Sequence, residues 1–274
     1  MSRTDGDRQR PTGPDWPPGL PHVRAATPLP GGFICTVQRA TLVDGRDVVV
    51  KRCPYPAELE ADGLLALAGA GAPTPAVLGV ARRVLVLEHV SGVGDAAELG
   101  RVIARIHRST GPRYGWHQDN VGGLTRQHNA WCDDWPTFFV ERRVLPHLPD
   151  PRVPRTIARR VERACAGPLP ALLPRHPPAS LTHGDLWSGN VVGRAWLVDP
   201  AVSYTDRELE VAFMRRPGNL PARTLAAYLE AWPLERGYEE RLPALLLHKL
   251  LNNVRHFGAR LVPHVEQVLD RYGW

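Results

Sequence analysis

The chain has few cysteines and no long apolar segment. Its four cysteines lie far apart and include no Cys-x-x-Cys pair, which argues against a zinc ribbon and a disulfide framework. No apolar run approaches the length that a membrane helix needs, and residues 1–21 lack the apolar stretch of a secretory signal. We therefore expect a cytoplasmic protein without a membrane span, in which residues 1–21 form a flexible leader.

Lysine is also scarce, although the chain is basic. Of the 34 lysine and arginine residues, only Lys51 and Lys249 are lysine, and the formal net charge is +6. The arginines are spread along the chain rather than gathered on one element, so we expect no nucleic-acid partner. Because arginine serves wherever a surface cation suffices, Lys51 is a candidate for a position that requires a compact ammonium.

The pattern of apolar residues divides the chain into two parts. Residues 33–51 contain two strand-like runs around Asp44-Gly45, which is typical of a β-hairpin, and a helix-like segment and further short strands follow. Beyond Gly94 the apolar spacing becomes helical. The sequence therefore predicts an α+β fold with a small antiparallel-sheet lobe over residues 22–91 and a mostly helical lobe over residues 92–274.

The most informative segment is His183-Gly184-Asp185-Leu186-Trp187-Ser188-Gly189-Asn190, which is followed by Asp199 at the end of a short apolar run. In kinases of this pattern the first carboxylate accepts the proton of the attacking hydroxyl, while the asparagine and the second aspartate bind magnesium. We therefore predict Asp185 as the catalytic base and Asn190 and Asp199 as Mg²⁺ ligands. Alone, each piece could be a turn or a strand end, but their order favours the catalytic interpretation.

An upstream lysine completes this pattern. Lys51 closes a valine-rich strand, where kinases place the lysine that binds the ATP phosphates and pairs with a helix glutamate. Glu60 on the following helix is the expected partner, and Glu58 and Asp62 are the nearby alternatives. A solvated acidic start of a helix would look similar.

Two further segments are candidates for nucleotide contacts. Gly31 and Gly32 could bring backbone N–H groups close to the triphosphate, although a Pro-Gly-Gly sequence is also an ordinary turn. The segment from Glu88 to Val90 is predicted to join the lobes and to offer its backbone to adenine. Together these residues predict a site for ATP in the cleft between the lobes.

With these residues in place, the chain resembles the fructosamine-3-kinase family, a branch of the aminoglycoside-phosphotransferase group within the protein-kinase-like fold. The likeness is carried by His183–Asn190, with its Trp187, by Asp199–Ala201 and Asp206–Glu208, and by Asn129–Trp135. It implies a bilobal kinase that uses ATP and Mg²⁺.

The resemblance also implies a substrate. The family phosphorylates the 3-hydroxyl of small or protein-linked ketoamines, and the product breaks down to free the amine. Trp187, Trp131 and Asp134 are candidates to shape the substrate pocket, although aromatic residues in a helical lobe more often belong to the core. Some relatives use a cysteine of the glycine loop for redox control, but Cys35 is offset from that position and is expected to be an inert buried thiol.

Two other functions remain open from the sequence. One is a different small-alcohol kinase of the same fold, acting on an aminoglycoside, an amino alcohol or a free sugar. The other is a non-catalytic nucleotide-binding protein on a kinase scaffold, because a fold does not by itself determine function.

Overall fold

The protein is described by a computed structural model that covers residues 15–30 and 34–274. Gly31 and Gly32 lie outside these residues. The first lobe is a five-stranded sheet in the order β1-β2-β3-β5-β4, and all neighbouring strands are antiparallel. Its strands are β1 (Val23–Pro28), β2 (Thr36–Leu42), β3 (Asp47–Arg52), β4 (Val77–Ala81) and β5 (Val84–Glu88).

Alternation along β3 decides which side of the sheet carries Lys51. Successive side chains of a strand point to opposite faces. Val48 and Val50 lie in the apolar cluster on one face, whereas Val49 packs against the cluster on the other face, beneath the helix. Lys51 shares the face of Val49, so its ammonium points toward α1 (Glu58–Gly69) and the second lobe.

The outer face of the sheet is covered by residues that we expected to belong to a flexible leader. Trp16 and Leu20 pack against the apolar cluster of the sheet, and Trp16 Nε1 donates a hydrogen bond to the Leu20 carbonyl. The prediction of a leader through residue 21 is therefore wrong for residues 15–21. Strand β1 was also absent from the sequence prediction, because its residues are exposed after Val23 and show no apolar alternation.

The second lobe is mostly helical and contains the larger apolar core. It carries three two-stranded pairs, whose strands are β6 (Asn120–Gly122), β7 (Thr125–Gln127), β8 (Ser180–Thr182), β9 (Val191–Val192), β10 (Trp196–Leu197) and β11 (Ser203–Thr205). Its helices are α2 (Ala96–Arg108), α3 (Trp135–Phe138), α4 (Arg155–Cys165), α5 (Pro168–Leu172), α6 (Glu208–Met214), α7 (Ala222–Ala231), α8 (Tyr238–Leu245), α9 (Leu247–Phe257) and α10 (Val262–Tyr272). In the part of the chain that the structure describes, no helix has the length and apolar character required to cross a membrane.

Direct contacts hold the two lobes together around a cleft. The Leu197 N–H donates to the Pro73 carbonyl at 2.9 Å, and Trp116 Nε1 donates to Asp62 Oδ2 at 2.7 Å. Gly63 of α1 packs so closely on Pro200 that a Cβ would lie 2.9 Å from the proline ring. These contacts bring the end of β3 and the face of α1 against the loops that follow β8 and β10.

Candidate active site

The loop after β8 turns sharply at Gly184. This glycine has φ +80°, and a Cβ at its position would lie 2.1 Å from the carbonyl oxygen of Ala201. A side chain at this position is excluded both by the backbone conformation and by the close approach of the second segment. The turn places Asp185 directly opposite the segment that begins at Asp199.

His183 joins the two halves of the motif. Its Nε2 lies 3.0 Å from the Val198 carbonyl oxygen, and its Nδ1 accepts a hydrogen bond from the Asp185 N–H at 3.2 Å. This pattern requires the neutral tautomer with its proton on Nε2. Burial lowers the pKa of His183, although the carboxylates of Glu210 and Asp185 oppose this effect. A neutral imidazole therefore fixes the spacing between Asp185 and the end of β10.

Glu210 of α6 anchors the same loop from below. Its two carboxylate oxygens accept the backbone N–H groups of His183 and Gly184 at 2.9 and 2.7 Å. His107 of α2 lies 3.0 Å from one of these oxygens. Burial would raise the pKa of Glu210, but the hydrogen bond to His107 and the nearby histidine rings hold it below its usual value. A buried carboxylate therefore stabilises the backbone turn that carries Asp185.

Asp185 is half-buried, and each of its carboxylate oxygens has one partner. Oδ1 accepts from Lys249 Nζ at 2.8 Å, and Oδ2 accepts from Asn190 Nδ2 at 3.1 Å. Burial alone would raise the pKa of Asp185, but the Lys249 ammonium, together with His183 and the hydrogen bond from Asn190, holds it below its usual value. Asp185 is therefore a carboxylate at neutral pH, as a proton acceptor requires.

Lys51 lies between two carboxylates that belong to different lobes. Its Nζ donates to both oxygens of Glu60, at 2.7 and 2.8 Å, and to Asp199 Oδ1. Burial would lower the pKa of Lys51, but the two carboxylates raise it, so the amine stays protonated. Of the two alternative partners, Glu58 is exposed, and Asp62 accepts a hydrogen bond from Trp116 instead.

Asn190 and Asp199 present oxygens that suit a magnesium ion. Asn190 Nδ2 is turned toward Asp185, which leaves Oδ1 as its free ligand atom. Asp199 has φ +56°, an uncommon conformation for a residue with a side chain, and its side chain is 42% exposed. Within residues 15–30 and 34–274 there is no cluster of three His, Cys, Asp or Glu side chains that could hold a metal. Magnesium bound here would take its other ligands from phosphate and water, as this ion usually does.

These side chains surround one cavity of about 190 Å³ between the lobes. Asp185, Asn190, Asp199 and Glu60 line one part of it, and the β6–β7 hairpin lines another through residues 120–123. Trp187 also lines the cavity, and its ring lies over Gly189, where a Cβ would be 2.3 Å from the indole. Of the three residues expected to shape a substrate pocket, Trp187 is therefore the one that borders this cavity.

The structure places the other two candidates elsewhere. Asp134 caps α3 by accepting from the Thr137 N–H at 3.1 Å, and it pairs with Arg175 at 3.0 Å. Trp131 stacks on Tyr204, with ring centroids 6.3 Å apart. Neither residue belongs to the lining of the cavity. Both serve local packing and capping in this structure, and their part in a substrate pocket stays a prediction.

Glu88 and Val90 do not line this cavity either. Glu88 ends β5, pairs with Val48 across the sheet, and exchanges hydrogen bonds with Ala76. Val90 follows in the segment that joins the lobes, and Gly94 at the end of that segment donates to the Gly193 carbonyl at 2.5 Å. Their predicted contact with adenine stays a prediction.

Cys35 is buried at the roof of the same cavity. Its sulfur lies 2.7 Å from the Cys53 sulfur and 3.4 Å from the Tyr55 hydroxyl. The hydrogen bond between the two thiols lowers the pKa of Cys35, while burial opposes this effect. Cys35 is therefore buried, as the sequence predicted, and its inertness stays a prediction.

Sequence reasoning missed two residues of the site, Lys249 and Glu210. The scarcity of lysine pointed to Lys51 and applied equally to Lys249, which could have been noticed by the same argument. Glu210 had no comparable signal, because it is one of two acidic residues in its helix, the other being Glu208. Only the packing of α6 beneath the loop distinguishes it.

Comparison with solved structures identifies the class of protein. A Thermobifida fusca protein whose proposed identity is fructosamine-3-kinase superposes with a TM-score of 0.81 at 28% identity, covering 91% of this chain and 93% of that one. A macrolide 2'-phosphotransferase of Brachybacterium faecium shares the fold, with a TM-score of 0.54 at 16% identity, over 89% of this chain and 90% of that one. The fold is that of the protein-kinase-like phosphotransferases, as the sequence predicted.

The sequence comparisons then specify the family. The model of the fructosamine kinase family matches residues 50–273. A probable ketoamine kinase of Enterococcus faecium is 34% identical over 227 residues, which cover 78% of this chain and 82% of the relative. The chain belongs to the fructosamine kinase family. It is therefore a phosphotransferase that acts on a sugar hydroxyl, and its family implies that ATP is the phosphoryl donor.

Proposed function

We propose that this protein is a ketoamine kinase that transfers the γ-phosphoryl group of ATP to the 3-hydroxyl of a sugar attached to an amine, of the fructosamine or ribulosamine type. The observation that carries the proposal is the meeting of Asp185, Asn190 and Asp199 around one cavity, with Lys51 in direct contact with Asp199. These residues belong to β3, to the loop after β8 and to the end of β10, and they supply the groups that phosphoryl transfer requires.

Asp185 would act on the acceptor. Its carboxylate takes the proton of the sugar hydroxyl while the hydroxyl oxygen forms a bond to the γ-phosphorus. The bond between that phosphorus and the bridging oxygen breaks, and its electrons stay with ADP. The contacts with Lys249 and Asn190 keep the carboxylate ionised and oriented for this role.

The other residues would act on the nucleotide. Lys51 lies deep in the cleft, where its ammonium can neutralise phosphate oxygens, and Glu60 holds it in place. Asn190 Oδ1 and Asp199 would hold Mg²⁺, which supplies positive charge to the phosphates during transfer. In this structure Lys51 contacts Asp199 directly. In the nucleotide-bound protein, Lys51 would instead contact the phosphates, and Asp199 would hold Mg²⁺.

Trp187 would contact the acceptor. It borders the cavity beside Asp185, and its flat apolar ring is suited to packing on the C–H face of a sugar. Small ketoamines and protein-linked ketoamines are both candidate acceptors.

The proposal is tested by coupled ATP turnover with magnesium. The acceptors are ribulosamine, fructosamine, free sugars and a set of aminoglycosides, and Asp185→Asn serves as the blank. We expect turnover that is confined to ketoamines and lost in Asp185→Asn. Turnover confined to aminoglycosides or free sugars would contradict the proposal that the acceptor is a ketoamine. Full turnover by Asp185→Asn would contradict the role of Asp185 as the base.

A further inference from the structure

The two lysines of this arginine-rich chain both contact the catalytic motif. Lys51 contacts Asp199, and Lys249 contacts Asp185. They lie on different lobes, one on β3 and the other on α9, and no other lysine occurs in the sequence. Chance placement at the surface would not bring both ammonium groups to the two aspartates of one motif. The second contact is therefore as specific as the first.

Lys249 is held tightly in the second lobe. Its side chain is 10% exposed, and its Nζ lies 5.1 Å from the centroid of the Phe213 ring on α6. Its only ion pair in the described part of the chain is with Asp185, at 2.8 Å. A buried ammonium with a single carboxylate partner constrains the position of that carboxylate, because separating the pair would leave the ammonium buried without a counter-charge.

The helix that carries Lys249 is itself fixed by polar contacts. His248 Nδ1 lies 2.9 Å from the Arg143 carbonyl oxygen. Asn252 donates to the Gly122 carbonyl on the β6–β7 hairpin at 3.4 Å, and Arg255 pairs with Asp150 at 3.0 Å. Successive turns of α9 are therefore tied to different parts of the lobe. The ammonium of Lys249 comes from a rigid support rather than from a mobile loop.

The geometry also explains why this position holds lysine. Lys249 donates to Asp185 Oδ1 alone, while Oδ2 accepts from Asn190. A carboxylate oxygen has two lone pairs, so an acceptor hydroxyl can still approach. A guanidinium would bind both carboxylate oxygens in a fork and cover the side of Asp185 that the acceptor needs. A compact ammonium orients the carboxylate without blocking the approach of the acceptor hydroxyl.

We propose that Lys249 is a positioning residue for phosphoryl transfer, which holds Asp185 through one oxygen and leaves the carboxylate open to the acceptor hydroxyl. The inference rests on the proposed role of Asp185 as the base. Lys249 thus acts through Asp185, and it is not among the residues that line the cavity.

The test compares kcat and KM in Lys249→Met and Lys249→Arg, with melting temperature and ATP-analogue affinity as controls for folding. We expect kcat to fall on the order of 10- to 100-fold in both variants, because a misplaced base loses much of its effect, with the KM for ATP unchanged. Either variant with wild-type kcat would overturn the proposal. If Lys249→Met does not fold, the charge-preserving Lys249→Arg carries the test.

Two further measurements separate positioning from a general structural role. Propylammonium added to Lys249→Ala should restore kcat with increasing concentration, whereas propylguanidinium should not; equal restoration by both would contradict the contact through one oxygen. The double variant Lys249→Met/Asp185→Asn should bind an ATP analogue no more weakly than Asp185→Asn alone, because the lysine acts through that aspartate. A further loss in the double variant would assign Lys249 another role.

The two proposals fail in different ways. If Asp185→Asn loses turnover while Lys249→Met keeps it, only the role of Lys249 is wrong. If Asp185→Asn keeps wild-type turnover, the base is not Asp185, and both proposals are wrong. Loss of turnover in both Asp185→Asn and Lys249→Met supports both proposals.

Discussion

Lys51 Nζ lies 2.7 and 2.8 Å from the two carboxylate oxygens of Glu60, with both side chains buried. The pair joins β3 to α1 and holds the ammonium beside Asp199. Breaking it would leave a charge buried without a partner, which costs more than the pair itself contributes.

Replacement of Lys51 is expected to lower turnover strongly. We expect Lys51→Met to lower kcat/KM for ATP by at least about 100-fold, the usual effect of removing one preorganised donor to developing charge. Lys51→Arg should not restore activity, because the site is 3% exposed and shaped for a compact cation. Steady-state kinetics with varied ATP measures this, and near-normal kcat/KM in either variant would contradict the role of Lys51 as phosphate ligand.

Gly184 and Gly218 offer a matched pair of substitutions. Both have left-handed backbone conformations, with φ +80° and φ +83°, but only Gly184 faces a close neighbour. We expect Gly218→Ala to cost about 1 kcal/mol for the backbone conformation alone. Gly184→Ala adds a clash with the Ala201 carbonyl and should cost more than about 4 kcal/mol. Denaturant unfolding compares the two, and similar losses would show that the contact with Ala201 is relieved by movement of the chain.

Removal of the Glu210 charge is expected to loosen the loop that carries Asp185. Glu210→Gln keeps the size of the side chain but replaces one of the two oxygens that accept the N–H groups of His183 and Gly184. Hydrogen bonds to charged groups contribute about 1.5–3 kcal/mol, so we expect a loss of stability in that range together with lower kcat. Glu230 is exposed and provides the control, because Glu230→Gln should change neither the stability nor kcat.

The stabilising effect of Glu210 should depend on pH. Its pKa in the folded protein is held below the ordinary value of 4.5, so its contribution to stability is present above that value and is lost as the pH falls through the folded pKa. The difference in unfolding free energy between the wild type and Glu210→Gln should therefore shrink in acid. A difference that is constant between neutral and acidic pH would show that the charge of Glu210 does not stabilise the fold.

Trp187 and Trp131 provide a test of the acceptor pocket. Only Trp187 lines the cavity, whereas Trp131 stacks on Tyr204. We expect Trp187→Ala to raise the KM for the ketoamine on the order of 10-fold, as loss of an apolar contact with substrate does, with the KM for ATP unchanged. Trp131→Ala should lower the melting temperature and leave the acceptor KM unaltered. The opposite result would place the acceptor at Trp131.

Much of the catalytic motif could be predicted from the sequence. The spacing from His183 to Asn190, the later Asp199 and the strand position of Lys51 are local patterns, and each is set by the turn or strand that contains it. The antiparallel sheet lobe and the helical lobe followed from apolar periodicity, which is also local. The pairing of Lys51 with Glu60 was predicted from the kinase pattern, in which the strand lysine pairs with a glutamate of the following helix.

Other features depend on packing between distant segments. Strand β1 and the folded segment around Trp16 carry little apolar periodicity, so nothing in their sequence distinguished them from a leader. Trp131 and Asp134 lie in a stretch that is typical of the family, yet they stack and cap rather than border the cavity. Their side-chain types are compatible with both uses, and only the fold decides between them.

The sequence by itself determined the chemistry of this protein, because the residue types and short spacings of a kinase motif are local properties of the chain. Tertiary structure decided which groups support that chemistry. Lys249 and Asp185 are 64 positions apart, and Glu210 reaches its loop from α6. Such contacts arise only when helices pack against the loop, because the energy of burying a charge beside its partner is realised in the folded state alone.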